Sequence, residues 1–208
     1  VPLQKRRARW AWKDRIRPEV EAALVEARTA VAALPRQPWL PNGAAPVGLV
    51  PGITAAAWRP DPAQPAAKIA PEHLDFTGKD GVSFSLWMRP DADNPADVAL
   101  LSSLNHLGSP ADTSWGRGRE LRLIEGELEL RLSERLPVYA IVVRTEGAGI
   151  RPESWHHVVV TYAGGKLASA VRVFVDGVEV PTRTLHDGMP GEPPKRDFLL
   201  GADNVKDG

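Results

Sequence analysis

Glu120-Leu-Arg122-Leu-Ile-Glu125 places two carboxylates and a guanidinium on one short stretch. Retaining glycoside hydrolysis needs two carboxyl groups about 5.5 Å apart, one of them with a raised pKa. Arg122 works against that, because a neighbouring cation holds carboxylates ionised. On a strand without a bulge, residues 120 and 125 also face opposite ways. The stretch therefore reads as part of a solvent-facing row, Glu120, Arg122, Glu127, Glu129 and Arg131, whose opposite charges pair across strands. No catalytic residue is assigned. His156-His157 invites a metal ion, but adjacent side chains on a strand point to opposite faces and cannot grip one ion. His73, His106 and His186 lie far away in the chain. The expectation is one structural His beside a core Trp155. Ser114-Trp115-Gly-Arg117-Gly-Arg119 is different, since a Gly-rich loop is an unusual place for a core ring. A sugar site needs an exposed aromatic beside hydrogen-bonding groups. Trp115, Arg117 and Arg119 are the candidate ligand-binding residues; the alternative is that Trp115 caps one end of the core.

These groups need a scaffold, and the composition supplies one. Of 208 residues, 43% are hydrophobic, enough for a core without staples or cofactors. There is no Cys, which excludes disulfides, thiolate metal sites and thiol catalysis. The formal net charge is zero but uneven. Lys5, Arg6, Arg7, Arg9, Lys13, Arg15 and Arg17 stand against Asp14 alone at the N-terminal tip. The rest of the chain is acidic, so no field suited to nucleic acid is expected. No apolar run approaches the roughly 20 residues needed to span a bilayer. The first residues have neither an initiator Met nor a signal-like pattern, and the chain reads as a fragment of something longer.

Three zones follow from the spacing. Residues 1–34 are a basic segment and a connector helix. Pro18 suits a first helical turn, Val20, Leu24, Ala27, Val31 and Leu34 form one stripe, and Pro35 stops it. Residues 35–71 hold nine prolines among many alanines and read as an extended linker, with one edge strand near Val47–Val50. Trp39 and Trp58 are expected to pin it. Residues 72–208 are the third zone, and from Val82 the pattern changes to period two. Val82, Phe84, Leu86 and Met88 share one face of a strand; Ser83, Ser85, Trp87 and Arg89 share the other. Further strands are expected at Val98–Leu104, Arg119–Ile124, Glu127–Leu132, Val138–Arg144, Trp155–Tyr162, Val171–Asp176 and Asp197–Leu200. Glu125-Gly126 and Asp176-Gly177 read as tight hairpin turns. Many short strands with turns between them indicate an all-β antiparallel sandwich. Phe84, Leu86, Trp155, Val159, Val173 and Val175 are its expected core.

Four stretches carry a resemblance. Leu74-Asp-Phe-Thr-Gly-Lys-Asp80 leads into Phe84-Ser-Leu-Trp-Met-Arg-Pro90. Trp155-His-His-Val-Val-Val-Thr-Tyr162, Val173-Phe-Val-Asp-Gly-Val178 and Phe198-Leu-Leu-Gly201 follow. In this order they resemble laminin-G-like jelly-roll domains of the concanavalin A-like superfamily. Glu120–Leu132, Ala140–Arg144 and Lys166–Gly177 are more narrowly similar to the version inserted in large planctomycete cytochrome c-associated proteins. The haem signature Cys-x-x-Cys-His is absent, so no haem carries over.

The resemblance implies a noncatalytic module of an exported, extracytoplasmic bacterial protein. Such a module recognises carbohydrate or a protein partner and touches neighbouring domains of its own polypeptide. An architectural spacer and a divergent glycoside hydrolase are the alternatives. Glycosidases of this fold carry Glu-x-Asp-x-x-Glu on one strand; here Arg122 stands in the middle position. Several laminin-G-like domains bind calcium at a sheet edge. Hard cations want clustered oxygen ligands, which Asp75 and Asp80, or Asp203, Asn204 and Asp207, could supply; turn chemistry explains the same residues. The family sandwich continues past Phe198–Gly201 into one more strand. The resemblance thus implies that this chain stops one strand short, with an open edge and lowered stability.

Overall fold

The computed structural model describes residues 49–52, 56–60, 66–69, 81–93, 96–106 and 116–203. The chain divides into two compact units, Val1–Trp39 and Leu40–Gly208, and every described residue lies in the second. The expected helix over residues 18–34 therefore lies outside the described residues, as do Trp39 and the first part of the linker.

The architecture is an antiparallel β-sandwich. In chain order the strands are β1 (Leu49–Pro51), β2 (Ala56–Trp58), β3 (Ala67–Ile69), β4 (Val82–Met88), β5 (Asp97–Ser102), β6 (Gly118–Ile124) and β7 (Glu127–Arg135). They continue with β8 (Tyr139–Thr145), β9 (His156–Tyr162), β10 (Val171–Val175), β11 (Val178–Val180), β12 (Thr182–Gly188) and β13 (Phe198–Leu200). Strands β1 and β2 pair with each other. The sandwich itself has a four-stranded sheet, β11-β10-β9-β4, and a seven-stranded sheet, β12-β8-β7-β6-β5-β13-β3.

Alternation explains which faces meet. Leu121 and Leu123 of β6, Leu128, Leu130 and Leu132 of β7, and Ile141 and Val143 of β8 point inward. They meet Val158, Val160 and Tyr162 of β9 and Val171, Val173 and Val175 of β10. Each fully buried Val or Leu contributes about 1.5–3 kcal/mol by leaving water. Phe84 and Leu86 pack against this cluster while half-buried. Two hairpin turns have the expected chemistry: Glu125 and Gly126 have φ of 52° and 83°, and Asp176 and Gly177 have 52° and 81°. Positive φ at both central residues matches the right-handed twist of the flanking strands.

Two expected core positions are corrected. In β9 the inward set is His156, Val158, Val160 and Tyr162, not Trp155 and Val159. Val158 and Val160 are fully buried, whereas Val159 is half-buried on the outer face and Trp155, half-buried, precedes the strand. The run Val158-Val159-Val160 has no alternation of its own, so a shift of one residue reverses every assignment. The inward parity is possible because the polar His156 is fully satisfied. Its Nε2 accepts from the Arg151 N–H at 3.0 Å, and its Nδ1–H donates to Asp176 at 2.8 Å. Asp176 also accepts the His157 N–H. The hydrogen bond from that backbone amide, with the one from His156, holds the Asp176 carboxyl below its ordinary range.

The end of the sandwich near β6 depends on close backbone approach. Gly118 has φ of 142°, and a Cβ there would fall on the Ser103 carbonyl and the Leu104 backbone. Gly118→Ala is expected to lower stability by about 2 kcal/mol, from strain and overpacking together. Chemical denaturation reads this directly, and an unchanged midpoint would mean that residues 103 and 104 yield freely.

Candidate functional site

The outer face of the seven-stranded sheet carries an ionic lattice. Register places Glu120 opposite Arg131, Arg122 opposite Glu129, and Glu129 opposite Arg144. These three cross-strand positions each pair opposite charges. Arg131 bridges two carboxylates, with Nη1 3.0 Å from Glu120 and Nε 2.6 Å from Glu129. Arg144 holds the other Glu129 oxygen at 2.6 Å. Arg122 reaches Asp97 at 2.6 Å, and its Nη1 lies 2.9 Å from both Glu120 and Asp203. Ser102 donates to Glu120 at 2.9 Å, and His106 Nε2 lies 3.1 Å from the same oxygen.

The row pairs across strands as expected, but it is not solvent-facing. Glu120 is 1% exposed and Glu129 2%. Mutual neutralisation allows the desolvation that a lone carboxylate would not tolerate. Glu127 leaves the row altogether and accepts from Thr145, Gly147 and Ala148.

Chemically, the lattice is unsuited to acid catalysis. Burial pushes the Glu120 carboxyl up, but the His106 hydrogen bond and the Arg122 and Arg131 cations hold it below the usual carboxylate range. Glu125 sits apart, exposed in its turn with its N–H on the Ala96 carbonyl. Asp203 brings a carboxylate oxygen within 4.8 Å of one on Glu120, but the Arg122 guanidinium stands between them, 2.9 Å from each, and holds both ionised.

The lattice also bears on metal binding. His106, Glu120 and Asp203 offer ligand atoms within 4.8 Å of one another. Arg122 donates into the same space, at 2.9 Å from two of the three. That donor set is already neutralised by a fixed cation and does not fit a second one. Of the calcium ligands expected from sequence, Asp203 is the Arg122 partner; Asp75, Asp80, Asn204 and Asp207 lie outside the described residues.

Of the expected ligand-binding loop, Trp115 also lies outside the described residues. Arg119 is 3% exposed and donates to the Pro194 and Pro193 carbonyls at 3.2 and 3.4 Å. It closes the end of the core and offers no surface for recognition. Arg117 is half-buried, with its backbone carbonyl accepting from Asn105 at 3.0 Å. The structure does not bring these two side chains to an open face.

An open face does exist on the four-stranded sheet. Register aligns Trp87 with His157, Ser85 with Val159 and Phe174, and Ser83 with Thr161 and Arg172. The Trp87 and His157 rings stack, centroids 4.8 Å apart and planes inclined by 29°. Ser85 Oγ lies 2.6 Å from His157 Nε2. Trp87 remains 48% exposed. His157 covers one face of the indole, so the wet half is the other face and its rim. The outward parity of Trp87 could be read from sequence, but that of His157 could not, nor could the contact between rings of such distant segments. His156 and His157 do point to opposite faces, as the strand period requires.

Comparison with known proteins follows this geometry. A laminin-G family model described as the concanavalin A-like lectin/glucanases superfamily matches residues 62–208. No curated protein matches the chain. Among solved structures, the binding domain of Paraclostridial Mosquitocidal Protein 1 superposes with a TM-score of 0.51 at 15% identity, over 80% of this chain and 40% of that one. The receptor-binding domain of botulinum neurotoxin mosaic serotype C/D gives 0.43 at 14% identity, over 62% of this chain and 30% of that one. The receptor-binding domain of botulinum neurotoxin D gives 0.41 at 12% identity, over 73% and 33%. The chain thus spans well under half of each of these structures, and the likeness is one of fold.

Proposed function

The chain belongs to the concanavalin A-like lectin/glucanases superfamily, and from that premise we propose that it is a noncatalytic binding module of a larger exported bacterial protein. Its ligand is a carbohydrate or a protein partner. The parent we infer is of the planctomycete cytochrome c-associated kind that Ala140–Arg144 and Lys166–Gly177 resemble, placed outside the cytoplasm. The observation that carries the reading is the half-exposed Trp87 of the edge strand β4, stacked on His157 on the outer sheet face. An amphipathic ring held rigid by a neighbour recognises ligands at low entropic cost. The engaged state of Glu120 supports the noncatalytic part. The binding domain of Paraclostridial Mosquitocidal Protein 1 has a similar fold. No helix among the described residues is long and apolar enough to cross a membrane.

The test is an array of glycans and of peptides probed with the full chain, alongside a reducing-sugar assay on the retained polysaccharides. Retention without turnover is expected. Release of reducing sugar by the purified chain would overturn the noncatalytic reading.

A further inference from the structure

The outer face of the four-stranded sheet has a chemistry more specific than binding in general. Three cross-strand rows line it. The first is Trp87 and His157, the second Ser85, Val159 and Phe174, and the third Ser83, Thr161 and Arg172. The third row opens into a shallow groove of about 330 Å³ that also involves Gly81, Tyr162 and Ala170. From Ser83 to Trp87 along β4 is about 13 Å at the usual strand rise. The site is therefore elongated, with a ring at one end, hydroxyls along it and a groove at the other end.

The charged groups described on and around it are matched. Arg172 is bidentate on Glu179, and its guanidinium lies 5.6 Å over the Phe174 ring. Arg89 donates to the Glu153 carbonyl at 3.0 Å, with the Glu153 carboxylate at 3.8 Å. Asp176 is engaged by His156 and the His157 amide. Among these described residues no uncompensated charge waits for a phosphate, sulfate or carboxylate. The apolar groups are few, Trp87, Val159 and Phe174, with hydroxyls beside them, and Arg172 covers Phe174. A stable protein partner wants about 800 Å² of surface with an apolar centre, which this narrow strip does not offer.

We infer that this face binds a neutral oligosaccharide chain of about three pyranose rings, lying along β4 with one ring stacked on the free face of Trp87 and the far end in the groove by Arg172. The inference rests on the binding-module reading and gives it a place and a ligand class. The apolar face of a pyranose suits the indole, and the Ser83, Ser85 and Thr161 hydroxyls offer both donors and acceptors to its own.

The experiment is calorimetric titration of the full chain with neutral gluco- and chito-oligosaccharides, from disaccharide to pentasaccharide. Affinity is expected to rise to the trisaccharide and then level, with little dependence on salt. Trp87→Ala should weaken binding by at least about tenfold, the equivalent of 1.4 kcal/mol, without moving the melting temperature. Thr161→Val should weaken the trisaccharide more than the disaccharide. Binding that survives Trp87→Ala and Thr161→Val but is lost in Arg117→Ala would overturn this placement and leave the module reading intact. Binding only to charged glycans or to peptides would overturn the ligand class and leave the module reading intact. Absence of any ligand on either array would overturn both.

Discussion

Glu120→Gln is expected to cost the chain about 3–5 kcal/mol of stability, the usual penalty for removing one partner of a buried ion pair. The substitution keeps volume and shape and deletes only the charge. Arg122 and Arg131 both aim at this carboxylate, and Ser102 and His106 complete its shell. The lattice counts four carboxylates, Asp97, Glu120, Glu129 and Asp203, against three guanidiniums, Arg122, Arg131 and Arg144. Its most deeply buried acid is the one shared by two of the three cations. The amide of Gln would also turn an N–H donor toward groups that are themselves donors. The penalty belongs to the unpaired cations rather than to the pair itself. Glu120→Leu with Arg131→Leu should therefore cost clearly less than the two single losses added, a coupling that denaturation of the four variants measures.

The same carboxylate makes an acid-dependent contribution of known sign. Its pKa in the folded chain lies below the ordinary value of 4.5. The stabilisation is complete above that unfolded-state value and is lost as pH falls through the folded one. Stability should fall as pH drops below about 4.5, and less steeply in Glu120→Gln. An equal acid slope in both would mean that Glu120 is not the group responsible.

Much of the fold follows from residues whose local pattern had one solution. Val82–Met88 alternates cleanly, and Glu125-Gly126 and Asp176-Gly177 combine positive φ with flanking apolar strands. Strand β12 had no such pattern: Thr182–Gly188 is mostly polar, almost wholly exposed, and held by pairing with β8 and by the Ala168 N–H on Asp187. Strand β3, Ala67–Ile69, fits between Pro65 and Pro71 because a three-residue edge strand needs few ladder bonds. The candidate sites were less legible for the same reason. The charges of Glu120–Arg131 and the outward parity of Trp87 are local facts. Burial of the first, and the stacking of the second on His157, depend on register between segments far apart in sequence.

The parity of β9 supplies the other large effect. Val158→Asp or Val160→Asp is expected to destabilise by about 4 kcal/mol or more, and Val159→Asp by about 1 kcal/mol. Val158 and Val160 are fully buried between Leu and Val side chains of both sheets. Among the described residues no cation lies in that cluster to receive a carboxylate, so the new group must either ionise unpaired or stay protonated without a partner. Val159 lies on the outer face between Ser85 and Phe174, where water reaches it and a carboxylate stays hydrated. What it loses is half-buried area and strand propensity, both small terms. Three chemically identical substitutions at consecutive positions thus differ only in the direction of the side chain. Thermal and urea denaturation of the three variants separates them, with Val159→Asp still folded and the other two unfolded or molten. The reverse order would place Trp155 and Val159 inside, remove the Trp87–His157 stack from the surface, and with it the proposed binding face.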